Sequence, residues 1–128
     1  MNALQTFSAP VGRVFLAFIF IMSGFSKISA YEGTQGYMEA MGVPGVLLPL
    51  VIVLEIVGGA LIALGFQARL TALVMAGFSL LSAILFHANF SDQMQMISFM
   101  KNVAIAGGFL MIVAHGAGAF SLDNRRNQ

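Results

Sequence analysis

An acidic residue lies in the middle of an otherwise apolar stretch, and it is the residue with the clearest capacity for chemistry. Glu55 is the single charge between about residues 46 and 66. In a membrane helix it would lie roughly 15 Å from either end at about 1.5 Å per residue. An ionisable group there costs about 2.5–3.5 kcal/mol on insertion scales. We therefore expect Glu55 to face the protein interior, where it handles a proton, orients a ligand, or forms a buried ion pair that fixes helix packing.

Basic and polar side chains near the ends of the other apolar stretches are candidate partners for this carboxyl group. Together with Glu55 they form the predicted ligand-binding set: Lys27, His87, Lys101 and Asn102. Glu55 would accept or hold a proton, and the others would donate hydrogen bonds to a quinone-like head group in the outer half of the membrane. Snorkelling to the interface is the alternative for the two lysines, and an interfacial polar residue is the alternative for His87.

Small residues accompany the charges and predict where helices approach each other. At about 100° per residue, Glu55 shares a face with the following glycine pair, and Lys101 aligns with a glycine of the last stretch. Small residues let helices pack closely in lipid. The predicted packing glycines are Gly24, Gly58, Gly59, Gly107 and Gly108. They could close one bundle or join neighbouring copies, so a homo-oligomer remains open.

The elements that must position these residues follow from composition and length. The 128-residue chain is 59% hydrophobic and 9% charged, against roughly 25% charged in soluble domains. Four apolar stretches, at about 10–28, 46–66, 70–87 and 96–115, are each close to the roughly 20 residues that span a bilayer. We predict an all-α membrane protein, a four-transmembrane-helix bundle forming a single domain over residues 1–128. The connection from about Ser29 to Pro44 predicts a short interfacial helix with Tyr31 and Tyr37 at headgroup level.

The topology prediction rests on the basic residues. We expect the first stretch to be retained as a span and not cleaved as a signal peptide, because Lys27 lies where small neutral residues are required. Basic residues in the loops favour the cytoplasm. With four spans, one side carries Arg13, Arg69, Arg125 and Arg126, whereas the other carries Lys27 and Lys101 with the acidic Glu32, Glu39 and Asp92. Both termini are therefore predicted to be cytoplasmic, with Arg13 acting as a snorkelling anchor.

Several functional classes are disfavoured. The chain has no cysteine, so it contains no disulfide or dithiol chemistry. The scattered basic residues give no nucleic-acid signal. A haem held by two histidines is not expected within one chain, because His87 and His115 end their spans on opposite sides. No metal is expected either, since no cluster has ligand spacing. The lipid bilayer is the partner that composition selects.

With these residues identified, the sequence resembles the DoxX family of small bacterial membrane proteins over nearly its whole length. The motifs that carry the resemblance are Arg13, Gly24-Phe25-Ser26-Lys27, Glu55 with Gly58-Gly59, Gly65-Phe66-Gln67-Ala68-Arg69, His87, Lys101-Asn102 and Gly116-Ala117-Gly118-Ala119-Phe120-Ser121-Leu122-Asp123. The resemblance implies a four-span inner-membrane protein. Relatives are linked to membrane redox systems, the family name comes from a subunit of a terminal quinol oxidase, and some members associate with thiol or superoxide defence proteins.

The leading hypothesis is an accessory or quinone/small-molecule-binding component of membrane redox or oxidative-stress systems, with other membrane or redox proteins as partners. The alternative is a structural or assembly subunit of a larger membrane complex without a ligand. A small transporter is less favoured, because four spans enclose little lumen in a monomer. Whether the protein catalyses a reaction is left open.

Overall fold

The computed structural model of the chain describes residues 3–86, 89–118 and 120–126. Within these ranges the chain is helical, and no strand is present. The helices are α1 (Ala3–Ser29), α2 (Tyr31–Ala40), a 3-10 turn (Gly45–Leu47), α3 (Leu48–Leu64), α4 (Ala68–Phe86), α5 (Gln93–His115) and α6 (Leu122–Arg126). The predicted all-α class is confirmed.

In the part of the chain that the structure describes, four helical segments are long and apolar enough to cross a bilayer, as predicted. The segments are Thr6–Ser29, Gly45–Leu64, Ala68–Phe86 and Gln93–His115. The boundaries differ from the predicted ones by a few residues, for local reasons. The second span ends at Leu64 because Gly65 takes a left-handed conformation with φ of 70°, which is a common helix stop. The fourth begins earlier than predicted because the Asp92 side chain accepts a hydrogen bond from the Met94 amide at 3.0 Å and caps α5.

The predicted short helix between the first and second spans is present as α2. Met38 is its buried residue, and Tyr37 is exposed. The start of the next span packs against α2 at Gly45, where a Cβ atom would lie 2.5 Å from the Gln35 Cγ atom. The glycine therefore allows the chain to turn back closely beneath α2.

The chain divides into two compact units. The first comprises Met1–Ala68 and Ala117–Gln128 and contains α1, α2, α3 and the C-terminal segment. The second, Arg69–Gly116, contains nearly all of α4 and the whole of α5. The prediction that residues 1–128 act as a single domain stays a prediction.

The first unit is built on the packing of α1 against α3. The buried residues of α3 recur at helical spacing, so one face of the helix is covered: Leu48, Ile52, Glu55, Gly58, Gly59 and Ile62. From α1, Arg13, Ala17, Phe20 and Gly24 are buried at matching spacing. This interface contains the charged residues discussed next.

Candidate functional site

The carboxylate of Glu55 and the ammonium of Lys27 form an ion pair within the first unit. The Lys27 Nζ atom lies 2.7 Å from the Glu55 Oε1 atom. The two side chains differ in accessibility, because that of Glu55 is 3% exposed and that of Lys27 is 27% exposed. Only the lysine half of the pair can be approached from outside.

A serine of α1 contributes to the same site. Ser23 lies one helical turn before Lys27, so both side chains fall on one face of the helix. The Lys27 Nζ atom donates a hydrogen bond to the Ser23 Oγ atom at 2.6 Å. Lys27 also lies in the last turn of α1, where the partial negative charge of the helix end favours a cation. The ammonium is therefore held by its own helix as well as by α3.

Two glycines bring α1 and α3 close enough for the pair to form. A Cβ atom on Gly24 would lie 2.5 Å from Ile56 Cγ1 and 3.5 Å from Glu55 Cβ. A Cβ atom on Gly59 would lie 2.7 Å from Ile21 Cγ1 and 3.2 Å from the carbonyl oxygen of Ala17. Both helices therefore need glycine at these positions, as close packing in lipid requires.

The other predicted ligand-binding residues belong to the second unit or lie outside the described ranges. Lys101 is exposed on α5, and the Asn102 Nδ2 atom donates a hydrogen bond to the Ser79 carbonyl oxygen at 3.3 Å within the second unit. His87 lies outside the described residues. The structure thus brings two of the five predicted residues, Lys27 and Glu55, into contact, and the role of the larger set stays a prediction.

The predicted packing glycines fall into two groups. Gly24, Gly58 and Gly59 of the first unit are buried. In the second unit Gly107 is exposed, with no atom within 4 Å of an added Cβ, and Gly108 is partly buried. Among the described residues, no group of three or more histidine, aspartate or glutamate side chains could hold a metal ion.

Arg13 is a second buried charge, and its expected role as a snorkelling anchor is wrong. The residue is 3% exposed. Its Nη1 atom donates hydrogen bonds to the carbonyl oxygens of Ala63 at 2.9 Å and Ile62 at 3.4 Å, and its Nη2 atom donates to the Phe120 carbonyl oxygen at 2.9 Å. The Ala63 carbonyl is one of the helix-end groups that have no intrahelical donor, whereas the Ile62 carbonyl also accepts from the Gly65 amide at 3.1 Å. The guanidinium supplies the donor for Ala63 and a second donor for Ile62, and the side chain is therefore held within the helix interface.

The C-terminal segment completes the Arg13 site. The Asp123 carboxylate accepts hydrogen bonds from the amides of Gln67 at 2.8 Å and Ala68 at 2.7 Å, which caps the start of α4. The Asp123 amide donates to the Gly65 carbonyl oxygen at 2.9 Å, and the carboxylate also attracts the Arg13 guanidinium. Sequence reasoning missed this site. The available signal was an arginine inside an apolar span, where a charged group is as costly to insert as the carboxylate of Glu55.

Comparisons with known proteins agree with this architecture. The family model for DoxX matches residues 9–88, a range that includes Arg13, Lys27 and Glu55. The chain is 50% identical over 128 residues to the Escherichia coli "Inner membrane protein YqjF", covering 100% of this chain and 98% of that protein. It is 37% identical over 141 residues to the E. coli "Inner membrane protein YphA", covering 98% and 100% respectively.

A third relative is more distant. The Bacillus subtilis "Putative oxidoreductase CatD" is 30% identical over 73 residues, which is 57% of this chain and 54% of that protein. No solved structure matches the chain.

Proposed function

Because the chain belongs to the DoxX family and is a multi-pass inner membrane protein, we propose that it is an accessory component of a membrane redox or oxidative-stress system. In this role it binds a quinone-like small molecule at the Lys27–Glu55 pair. The observation that carries the proposal is an ion pair within the apolar spans whose acid is 3% exposed and whose lysine is 27% exposed. Intramembrane ionisable groups are costly to insert and are retained mainly where they serve a function.

The pair has the chemistry that a quinone-like head group needs. An ammonium donates charge-assisted hydrogen bonds, which are roughly twice as strong as neutral ones. The apolar helix surface around the pair suits an isoprenoid or alkyl tail, because such a tail is kept away from water there. The word oxidoreductase in the name of the Bacillus subtilis relative adds a hint of redox association. Thiol exchange within this chain is not part of the proposal, because the sequence has no cysteine.

A structural or assembly subunit is the second candidate, and the close glycine contacts favour it. Gly24 and Gly59 place the pair inside a tightly packed interface. A buried ion pair in such a position can serve chiefly to fix the register of two helices. In that case the protein acts through lateral contact with a larger complex and needs no ligand.

Mass spectrometry of the protein purified in a mild detergent tests both candidates. We expect a quinone to co-purify with the parent and to be depleted at least tenfold in Lys27→Met and Glu55→Gln. Glu32→Gln is the matched control, because it removes a carboxylate from an exposed position of α2. Equal quinone content in all four proteins, with a membrane protein co-purifying throughout, would reject ligand binding in favour of the assembly role. Loss of quinone in Lys101→Met as well would extend the site to the set predicted from sequence.

The orientation belongs to the same proposal. We place both termini in the cytoplasm, because Arg69, Arg125 and Arg126 lie on the terminal side of the spans while Glu32 and Glu39 lie on the other. Since the chain has no cysteine, Gly36→Cys and Asn124→Cys each introduce a unique thiol at an exposed position. An impermeant maleimide should label Gly36→Cys in intact spheroplasts and Asn124→Cys only after lysis. The reverse pattern would invert the topology.

A further inference from the structure

The accessible part of the Lys27–Glu55 pair is a hydrogen-bond donor and not an acceptor. The Glu55 side chain is 3% exposed, so its oxygen atoms are shielded, whereas the Lys27 side chain is 27% exposed. A molecule that reaches the pair therefore meets the ammonium first. This difference in exposure favours a ligand that accepts a hydrogen bond over one that donates it.

The ammonium has one hydrogen left for such a molecule. An ammonium group has three donor hydrogens and no acceptor. Among the described residues, Ser23 Oγ at 2.6 Å and Glu55 Oε1 at 2.7 Å are its partners. The Ser23 contact is a hydrogen bond, whereas the Glu55 contact is an ion pair whose buried Oε1 atom accepts no hydrogen bond of good geometry. Even with one hydrogen directed at each of these two partners, the third can be donated to a ligand oxygen.

The charge of the site further restricts the ligand. Lys27 and Glu55 together carry no net charge, so an anion placed beside them would remain uncompensated in an apolar environment. The cost of such an uncompensated charge is high. A neutral molecule with a carbonyl oxygen meets both requirements.

We infer that the site selects neutral carbonyl acceptors and therefore binds the oxidised quinone more tightly than the reduced quinol. The inference rests on the function proposed above and adds the redox form to it. A quinone carbonyl accepts the third hydrogen of Lys27 directly. A quinol presents a hydroxyl group whose own hydrogen needs an acceptor, and the Glu55 oxygens that could accept it are shielded. The quinol therefore binds with an unsatisfied donor.

The preference has a thermodynamic consequence for the bound couple. The quinone takes up two electrons and two protons to become the quinol. A form that binds more tightly is favoured at equilibrium, so tighter quinone binding lowers the midpoint potential of the bound couple. A tenfold preference corresponds to about 30 mV for a two-electron couple.

Equilibrium binding of decylubiquinone and its quinol to the parent protein in nanodiscs tests the inference. We expect the quinone to bind about tenfold more tightly, as for one hydrogen bond to a charged donor. Equal affinities, or tighter binding of the quinol, would overturn the inference while leaving the proposed function in place. Binding of neither form would reject the proposed function itself. Decanoate, which carries an anionic head group, should not compete, and competition at the affinity of the quinone would overturn the charge argument.

Two variants assign the preference to the ammonium. Lys27→Met should reduce the affinity for the quinone to that for the quinol. Glu55→Gln keeps the ammonium, so the ratio of quinone to quinol affinity should be kept although both affinities fall. If instead Glu55→Gln loses the preference and Lys27→Met retains it, the carboxyl group is the contact and the inference fails. The ratio measured on the parent protein stands even if a variant does not fold.

Discussion

The helix α1 carries two cations, and their hydrogen-bond and ion-pair partners are of different kinds. Arg13 is 3% exposed and donates to main-chain carbonyls from α3 and the C-terminal segment. Lys27 is 27% exposed and contacts two side chains, those of Ser23 and Glu55. Main-chain carbonyls at the end of a helix cannot leave without unfolding it, whereas side chains can turn to other partners. Burial of a charge alone therefore does not identify a functional site; exchangeable partners are also needed.

The largest effect should come from removing the cation with main-chain partners. Arg13→Met removes the donor to the Ala63 and Phe120 carbonyl groups, each costing about 1–3 kcal/mol when left unsatisfied. The Ile62 carbonyl keeps its bond from the Gly65 amide. We expect the free energy of unfolding to fall by about 3–5 kcal/mol, allowing for partial relaxation, as measured by denaturant titration in micelles. Arg13→Lys should restore little, because an ammonium lacks the planar fork of a guanidinium. A free energy of unfolding within about 1 kcal/mol of the parent value would contradict the view that Arg13, unlike Lys27, chiefly stabilises the fold.

Gly65 provides the next test, because it supports the Arg13 end of the interface. Its φ is 70°, and a Cβ atom would collide with Ser121 Cβ and Arg13 Nη1. Gly65→Ala should lower the free energy of unfolding by about 2–4 kcal/mol, from a strained backbone and overpacking together. Gly36→Ala is the matched control, since nothing lies within 4 Å of its added Cβ. A similar loss in both variants would contradict the proposed role of the turn.

Gly24 makes the corresponding test at the Lys27 end. Its added Cβ would meet the side chain of Ile56, which can adjust more readily than a turn can. Gly24→Ala should cost about 1–3 kcal/mol and should lengthen the distance between Lys27 and Glu55. Thermal unfolding in detergent measures the first effect, with Gly107→Ala as control because that position is open. If Gly24→Ala cost more than Gly65→Ala, the Lys27 end would be the more rigid of the two.

The smallest effect on stability should come from Glu55→Gln. The ammonium left behind is already 27% exposed and can turn toward water, so the expected loss is below about 1 kcal/mol. Lys27→Met should cost more, because it leaves a shielded carboxylate without its cation. Chemical denaturation of the two variants side by side checks this order. The opposite order would mean that the lysine, and not the acid, is the replaceable partner.

The sequence predicted the architecture well because a bilayer imposes strong rules. Length and apolar composition alone located four spans to within a few residues. The cost of a charge at the membrane centre singled out Glu55, and Lys27 was among the partners proposed for it. These inferences need only the apolar composition of each stretch and the spacing of residues along one helix. Both can be read directly from the sequence.

The Arg13 site could not be obtained in the same way. Snorkelling or burial of an arginine depends on whether acceptors are built around it, and here one acceptor is the carbonyl group of Phe120, 107 residues away. The role of Asp123 as a cap for Ala68 likewise spans 55 residues. No local pattern reports such long-range main-chain contacts.

The hydrogen bond from Arg13 to the Phe120 carbonyl oxygen also has a consequence for biosynthesis. At about 5–20 residues per second, the ribosome delivers the 107 residues that separate the two in roughly 5–20 s. Throughout that interval the first helix carries a guanidinium that lacks its C-terminal acceptor. A chain that is terminated before Phe120 never acquires this acceptor. The incompletely bonded guanidinium within the membrane then distinguishes the incomplete product from the finished one.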